Sequence, residues 1–200
     1  MCGRYYIEID DRELQNICDA VQKKQQEEET GEQLEIKLCG EIFPTDIVAA
    51  MTGLNEYRPM KWGFGGFDKK PLINARSETA LTKPAFKESM YQRRCLIPAS
   101  GYYEWKKDGN KKIKHQIHIP GQAMYFAGCY KKDKGEPLPR FVILTRAAAH
   151  GLEEIHERMP VIIPKKFTRS WLHDNAGAMA GILSDSGADF IENVIMRELK

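Results

Sequence analysis

The second residue of the chain is a cysteine, in the opening run MCGRYY. Aminopeptidases that remove Met1 require a small second residue, and their action would leave Cys2 carrying both a free α-amine and a thiol. An α-amine titrates near pH 7.7–8.0, so about a tenth of it is neutral at pH 7, which makes it a better amine nucleophile than a lysine. Its nitrogen, Cα, Cβ and sulfur form a four-atom bridge. An aldehyde carbon closes that bridge into a five-membered thiazolidine, first as a Schiff base that the thiol then traps. An internal cysteine cannot do this, because its nitrogen is an amide. Arg4 stands two residues on, and a cation beside a thiol favours the thiolate. The bland alternative is an irrelevant thiol on a disordered tail.

Three further stretches offer chemistry. In INARSET, Asn74, Arg76 and Glu78 alternate just after an apolar strand, so they share one face. Arginine grips phosphate bidentately, although a surface ion pair at a strand end fits the same pattern. In IPASGYYEW, Glu104 sits among aromatic residues. Apolar rings raise a carboxylate's pKa and fit it for proton exchange; an exposed strand residue is the alternative. In IHERMP, His156 suits general acid–base work near neutral pH, and Arg158 is another phosphate candidate. Pro160 replaces the second histidine of an HExxH zinc motif, and a structural histidine is the alternative. His115 and His118 are three apart, which on a strand places them on opposite faces, so they share no metal. The basic run from Lys106 to Lys114 flanks a turn and reads as solvated, with nucleic-acid contact as the minority reading.

These residues need a scaffold. The chain has 200 residues, which suits one domain, 1–200, and its 42% hydrophobic content suffices for one core. A net charge of +2 neither requires nor excludes a nucleic-acid partner. No apolar run approaches the roughly 20 residues that span a bilayer, and no secretory leader is visible, so no membrane role is expected. The five cysteines are scattered without a CxxC pair, which reads as reduced cytoplasmic thiols with no metal or cofactor site.

Leu14, Ile17, Cys18 and Val21 recur at helical spacing after Asp10 and Asp11, so a helix starts there. The stretch LEIKLCGEIFPTDIVAAM reads as strand, turn and strand. A short helix is expected in TKPAFKESMYQRR, with Thr82 as cap and Pro84 in its first turn. Asp108-Gly109 marks a hairpin turn. AMYFAGCY and RFVILTRAA are strands, PKKFTRSWLHD is a helix, and GADFIENVIMRELK reads as an amphipathic helix. The resulting expectation is an α+β domain, mainly antiparallel, with short peripheral helices.

The motifs MCGR, KWGF, INARSET, RCLIPASGYYEWKK, ILT and IHERMP, in this order, resemble the SOS-response-associated peptidase (SRAP) family. Its best-known members cross-link to abasic sites in single-stranded DNA. The resemblance implies a barrel-like core of twisted sheets. It implies that Cys2 is the catalytic N-terminal cysteine, that Asn74 orients the Cys2 end and the opened sugar, and that Glu104 lies near the cross-linked sugar. His156 would assist Schiff-base chemistry and act on the sugar's leaving phosphate. Arg4, Arg76 and Arg158 would hold backbone phosphates, Trp62 would stack near the lesion, and Pro44 would lie near a wedge. The expected partner is single-stranded DNA with an abasic site, bound by a monomer. A cysteine peptidase acting through Cys2 with His156 as base, and a non-catalytic single-strand binding module, are the competing readings.

Overall fold

The computed structural model describes residues 2–9, 12–27, 34–66, 70–149, 151–174, 181–183 and 194–199. Twelve strands form among the described residues: β1 Tyr5–Ile7, β2 Gly40–Ile42, β3 Ile47–Gly53, β4 Glu56–Trp62, β5 Asn74–Arg76, β6 Arg94–Ala99, β7 Gly101–Asp108, β8 Lys111–His118, β9 Met124–Lys131, β10 Arg140–Ala147, β11 Arg158–Pro160 and β12 Ile195–Glu198. The helices α1 Arg12–Glu27, α2 Ser77–Ala80, α3 Lys87–Gln92 and α4 Thr168–His173 accompany them.

The strands make two sheets. One runs β12-β8-β7-β1-β2 and is antiparallel at every pairing. The other closes on itself, because β10 pairs with both β4 and β9 while β3 and β6 complete the ring. A closed ring leaves no free edge among those five strands. The parallel partners of β10 are β4 near its start and β5 further on, and its antiparallel partners are β9 and then β11. The single-domain, mainly antiparallel expectation with a barrel-like core holds.

The sheets share one core. Tyr5 of the open sheet packs on Trp62 and Phe126 of the ring, with centroids 5.3 and 5.9 Å apart, and Tyr102 meets Phe126 edge-on at 6.0 Å. Aromatic pairs at such spacings add to the burial of their large apolar area. The chain passes from ring to open sheet through β6 and β7, separated by Ser100 alone. Gly101 makes that passage feasible: a Cβ there would lie 2.4 Å from the Ile117 carbonyl oxygen.

Several expectations hold locally. α1 buries Leu14, Ile17, Cys18 and Val21. The hairpin turn lies at Gly109-Asn110, between the paired Asp108 and Lys111, with Gly109 at φ +56°. Others shift. The stretch before Gly40 forms only an isolated bridge from Ile36 to Ile47. The helix expected from Thr82 begins at Lys87. The C-terminal helix expectation lies partly outside the described residues; where the chain is described, Ile195–Glu198 is a strand on β8, Met196 facing Ile117. Its local amphipathic pattern gave way to the open edge of β8, which offers unpaired backbone groups.

Candidate active site

The N-terminal segment is clamped on both sides. β1 pairs with β2 and β7, and beyond it the Tyr103 amide donates to the Arg4 carbonyl at 2.9 Å. This draws Cys2 fully into the interior. Asn74 Nδ2 donates to the Cys2 carbonyl oxygen at 2.8 Å, fixing the backbone of the candidate nucleophile. Asn74 Oδ1 is buried and has no hydrogen-bond partner among the described residues. Glu104, on β7, is buried as well and lies close enough for its charge to act on the Cys2 thiol. Burial pushes that thiol's pKa up and Glu104 pushes it further, opposed by smaller effects that include a hydrogen bond from the Arg4 amide. With Met1 in place these effects hold the thiol above its ordinary range, which runs against the thiolate expected beside Arg4. Sequence separates Cys2, Asn74 and Glu104 widely; the fold brings them together.

A second group gathers around β10. Asn74 and Arg76 face one way on β5 while Ala75 turns inward. Glu78 follows in α2, not on the strand. On the other side of β10, β11 sets Arg158 opposite Ala147. The Arg158 amide donates to His156 Nδ1 at 3.0 Å, which fixes Nδ1 as the acceptor and leaves Nε2 to carry the proton of the neutral ring. The Arg158 guanidinium is occupied by Glu78, its Nη1 and Nη2 donating to the two carboxylate oxygens at 2.6 and 2.8 Å. Arg76 is exposed.

The third group is on the outer face of the open sheet. The Arg4 guanidinium lies 4.4 Å from the Phe43 ring centroid and 4.9 Å from that of Trp105, and 3.6 Å from Glu41. Lys114 sits over Tyr103 at 3.7 Å and Lys37 over Phe43 at 4.9 Å. Pro44 occupies a rigid turn in which the Asp46 amide donates to the Phe43 carbonyl at 3.0 Å. Thr45 carries φ +79° there, a strained conformation for a β-branched residue. Asp46 Oδ2 accepts from the Phe43 amide and from Lys37, both at 2.9 Å, and holds the turn closed. Phe43 and Trp105 were missed by sequence reasoning. The signal was available: on a strand containing Glu104, period two puts Tyr103 and Trp105 on the opposite face.

Trp62 is a correction. It is wholly buried, stacks on Phe141 at 6.3 Å and donates its indole N–H to the Ile73 carbonyl at 3.0 Å. Both faces of the ring belong to the core, so no nucleotide has a surface of it to stack on.

Residues 1–192 match the SOS response associated peptidase (SRAP) family, and the chain belongs to it. It is 38% identical over 135 residues to an Escherichia coli protein named abasic site processing protein YedK, covering 64% of this chain and 61% of that one. It is 37% identical over 130 residues to the Bacillus subtilis abasic site processing protein YoaM, covering 60% and 57%. The match thus spans about three fifths of those relatives' length. A crystal structure of a Bordetella bronchiseptica protein shares the fold, with a TM-score of 0.77, 20% identity and full coverage of both chains. No described helix is long and apolar enough to cross a membrane.

Proposed function

We propose that this protein recognises abasic sites in single-stranded DNA and bonds to them covalently through Cys2, once Met1 has been removed. The observation that supports this best is the clamp on Cys2: its carbonyl oxygen is held by Asn74 and its sulfur lies within the field of a buried carboxylate, Glu104. Membership of a family whose relatives are named for abasic-site processing supplies the electrophile. An abasic deoxyribose opens to an aldehyde. The Cys2 amine adds to that carbon, and loss of one water gives a Schiff base. The thiol sulfur then adds to the same carbon and closes a thiazolidine, its proton passing to Glu104 and on to the ring nitrogen. The net change is amine-thiol plus aldehyde to thiazolidine plus water, with no redox partner.

A thiol whose pKa is held up suits this order, because the amine attacks first and the sulfur is needed only at ring closure. His156 with its N–H at Nε2 serves as acid and base at the sugar, and can assist loss of the 3′ phosphate in an associated lyase step. Arg4, Arg76 and Arg158 take backbone phosphates, which position a strand without reading its sequence. Pro44 and its neighbour Phe43, which is partly exposed, supply the wedge for the gap left by the missing base. The proposal is for a monomer acting in the cytoplasm wherever strands are exposed.

Incubation with a single strand bearing one abasic site should give a heat-stable adduct, by denaturing gel and intact mass, from protein that lacks Met1. Cys2→Ala should abolish it, and Cys2→Ser should give a labile one, since its oxygen ring is weaker. Wild-type protein that binds intact strands yet forms no adduct would overturn the covalent reading in favour of a plain binding module. The family's description also carries the word peptidase. Cleavage of an unrelated peptide, lost in both Cys2→Ala and His156→Ala, would favour that second reading.

A further inference from the structure

Arg158 is a phosphate candidate whose gripping edge is already filled. Its side chain retains 11% exposure and that of Glu78 retains 50%. Beyond the two bonds to Glu78, Nη2 donates to the Thr145 carbonyl at 2.5 Å. Nε is buried without a hydrogen-bond partner among the described residues. The outward fork of the guanidinium is thus spanned by a carboxylate, which matches it in charge and spacing much as a phosphate would.

The two partners are held unequally. Arg158 is anchored by Thr145, by the pairing of β11 on β10, and by its own amide on His156. Glu78 stands half in water on α2, four residues long and without a side-chain cap. Its carboxylate can swing out and regain full hydration, while the guanidinium cannot follow without abandoning Thr145. With Glu78 gone and nothing in its place, this guanidinium would keep only the Thr145 carbonyl as an acceptor and would lose its counter-charge while largely buried. Glu78 can therefore leave readily only when another anion takes its seat.

We propose that Glu78 is a resident substitute for a nucleic-acid backbone phosphate, holding Arg158 in gripping geometry while the site is empty and giving way to phosphate when a strand binds. The exchange makes and breaks no covalent bond. That the incoming phosphate belongs to DNA rests on the function proposed above; the exchange itself does not. Hydrogen bonding from Arg158 holds the Glu78 pKa down to about 2, so a competing anion, not a proton, must displace it at physiological pH. Every strand must meet this competition, and one that makes few other contacts is penalised most.

The test uses the full chain and two probes, inorganic phosphate by calorimetry at low ionic strength and a lesion-free single strand by anisotropy. Glu78→Gln keeps the size and removes the charge; Glu78→Asp shortens the reach. Phosphate affinity should rise from wild type through Glu78→Asp to Glu78→Gln, by about threefold or more overall, as expected for removing one competing half-exposed charge. Combining Glu78→Gln with Arg158→Met should erase the gain. For the single strand, Glu78→Gln should raise affinity while leaving the dependence of log affinity on log salt unchanged, because Arg158 meets a phosphate in both complexes. Phosphate affinity that is unchanged or weakened in Glu78→Gln, or a gain that survives Arg158→Met, overturns the proposal. Should Glu78→Gln fail to fold, Glu78→Asp carries the same sign. A phosphate gain in protein that binds no DNA would defeat the DNA reading and leave the exchange standing.

Discussion

Arg94 and Arg158 have both lost most of their water, and they are compensated in opposite ways. Arg94 is 7% exposed, and its guanidinium is answered by backbone carbonyls. It donates to Trp171 and Asp174 at the end of α4, at 2.5 Å each, and to Met90 and Tyr91 in α3, at 2.9 and 3.3 Å. Those carbonyls lie at helix C-terminal ends, where backbone dipoles favour a cation and the last acceptors lack partners. They are part of the chain and cannot leave. Arg158 is answered by a carboxylate that stands half in water. One cation is therefore a fixed joint between two helices, and the other is a seat whose occupant can change. Nothing in the two arginines themselves marks this difference.

The largest effect expected is at the fixed joint. Arg94→Ala strips donors from four carbonyls at once and should cost about 2–4 kcal/mol in urea unfolding at unchanged m-value, while the folded fraction still forms the Cys2 adduct. Loss of adduct formation at full stability would break the contrast by making Arg94 part of the site. Next comes Trp62, whose role is likewise in the core. Trp62→Phe removes one of the two hydrogen bonds to the Ile73 carbonyl, which keeps the Ile143 amide at 3.1 Å, and loses part of the buried indole, so it should cost about 1–2 kcal/mol by thermal unfolding, with single-strand affinity unchanged. A selective fall in affinity would restore the stacking role that its burial denies.

At the exchangeable seat, Arg158→Met should cost less than about 1 kcal/mol, because the half-exposed Glu78 returns to water. The same variant should flatten the salt dependence of single-strand binding by about 0.7. The smallest effect concerns acid. Glu78 titrates near 2 in the folded protein against an ordinary 4.5, so its contribution is full above about pH 4.5 and is lost as the pH falls toward 2. Screening limits that contribution to less than about 1 kcal/mol. Glu78→Gln should remove this portion of the acid sensitivity, read as a shallower fall in stability between pH 4.5 and 2. An unaltered pH profile would show that the pair contributes nothing and that the seat is held by Thr145 alone.

Much of the scaffold was legible because it rests on local patterns. The apolar spacing of α1, the strand character of β9 and β10, and the turn beside Gly109 follow from periodicity and turn chemistry within a dozen residues. β4 was not read as a strand because Pro59 interrupts its pattern, although it forms a short hairpin with β3 in which Ala49 faces Pro59. The C-terminal strand failed for a different reason, since Ile195–Glu198 owes its form to the distant edge it joins. Site candidates were named by type: the motifs offered Cys2, Asn74, Glu104 and His156 as catalytic residues, and the fold sets Asn74 on the Cys2 carbonyl with Glu104 buried nearby. Their surroundings were not legible. Trp62 and Trp105 look alike in sequence, yet one fills the core and the other flanks Arg4.

The sequence by itself determined which atoms are available: an amine and a thiol together at position 2 once Met1 is gone, a carboxylate among rings, and three arginines near the motifs. Covalent chemistry is local, so residue identity suffices for it. The tertiary structure decided how those atoms are held. It buried Cys2 and pushed its thiol's pKa up, placed Asn74 on the Cys2 carbonyl, moved Trp62 into the core, and set Glu78 into the fork of Arg158. These depend on desolvation and on charges brought together across β10 and between two sheets, and both fall off over a few ångströms that only folding can set.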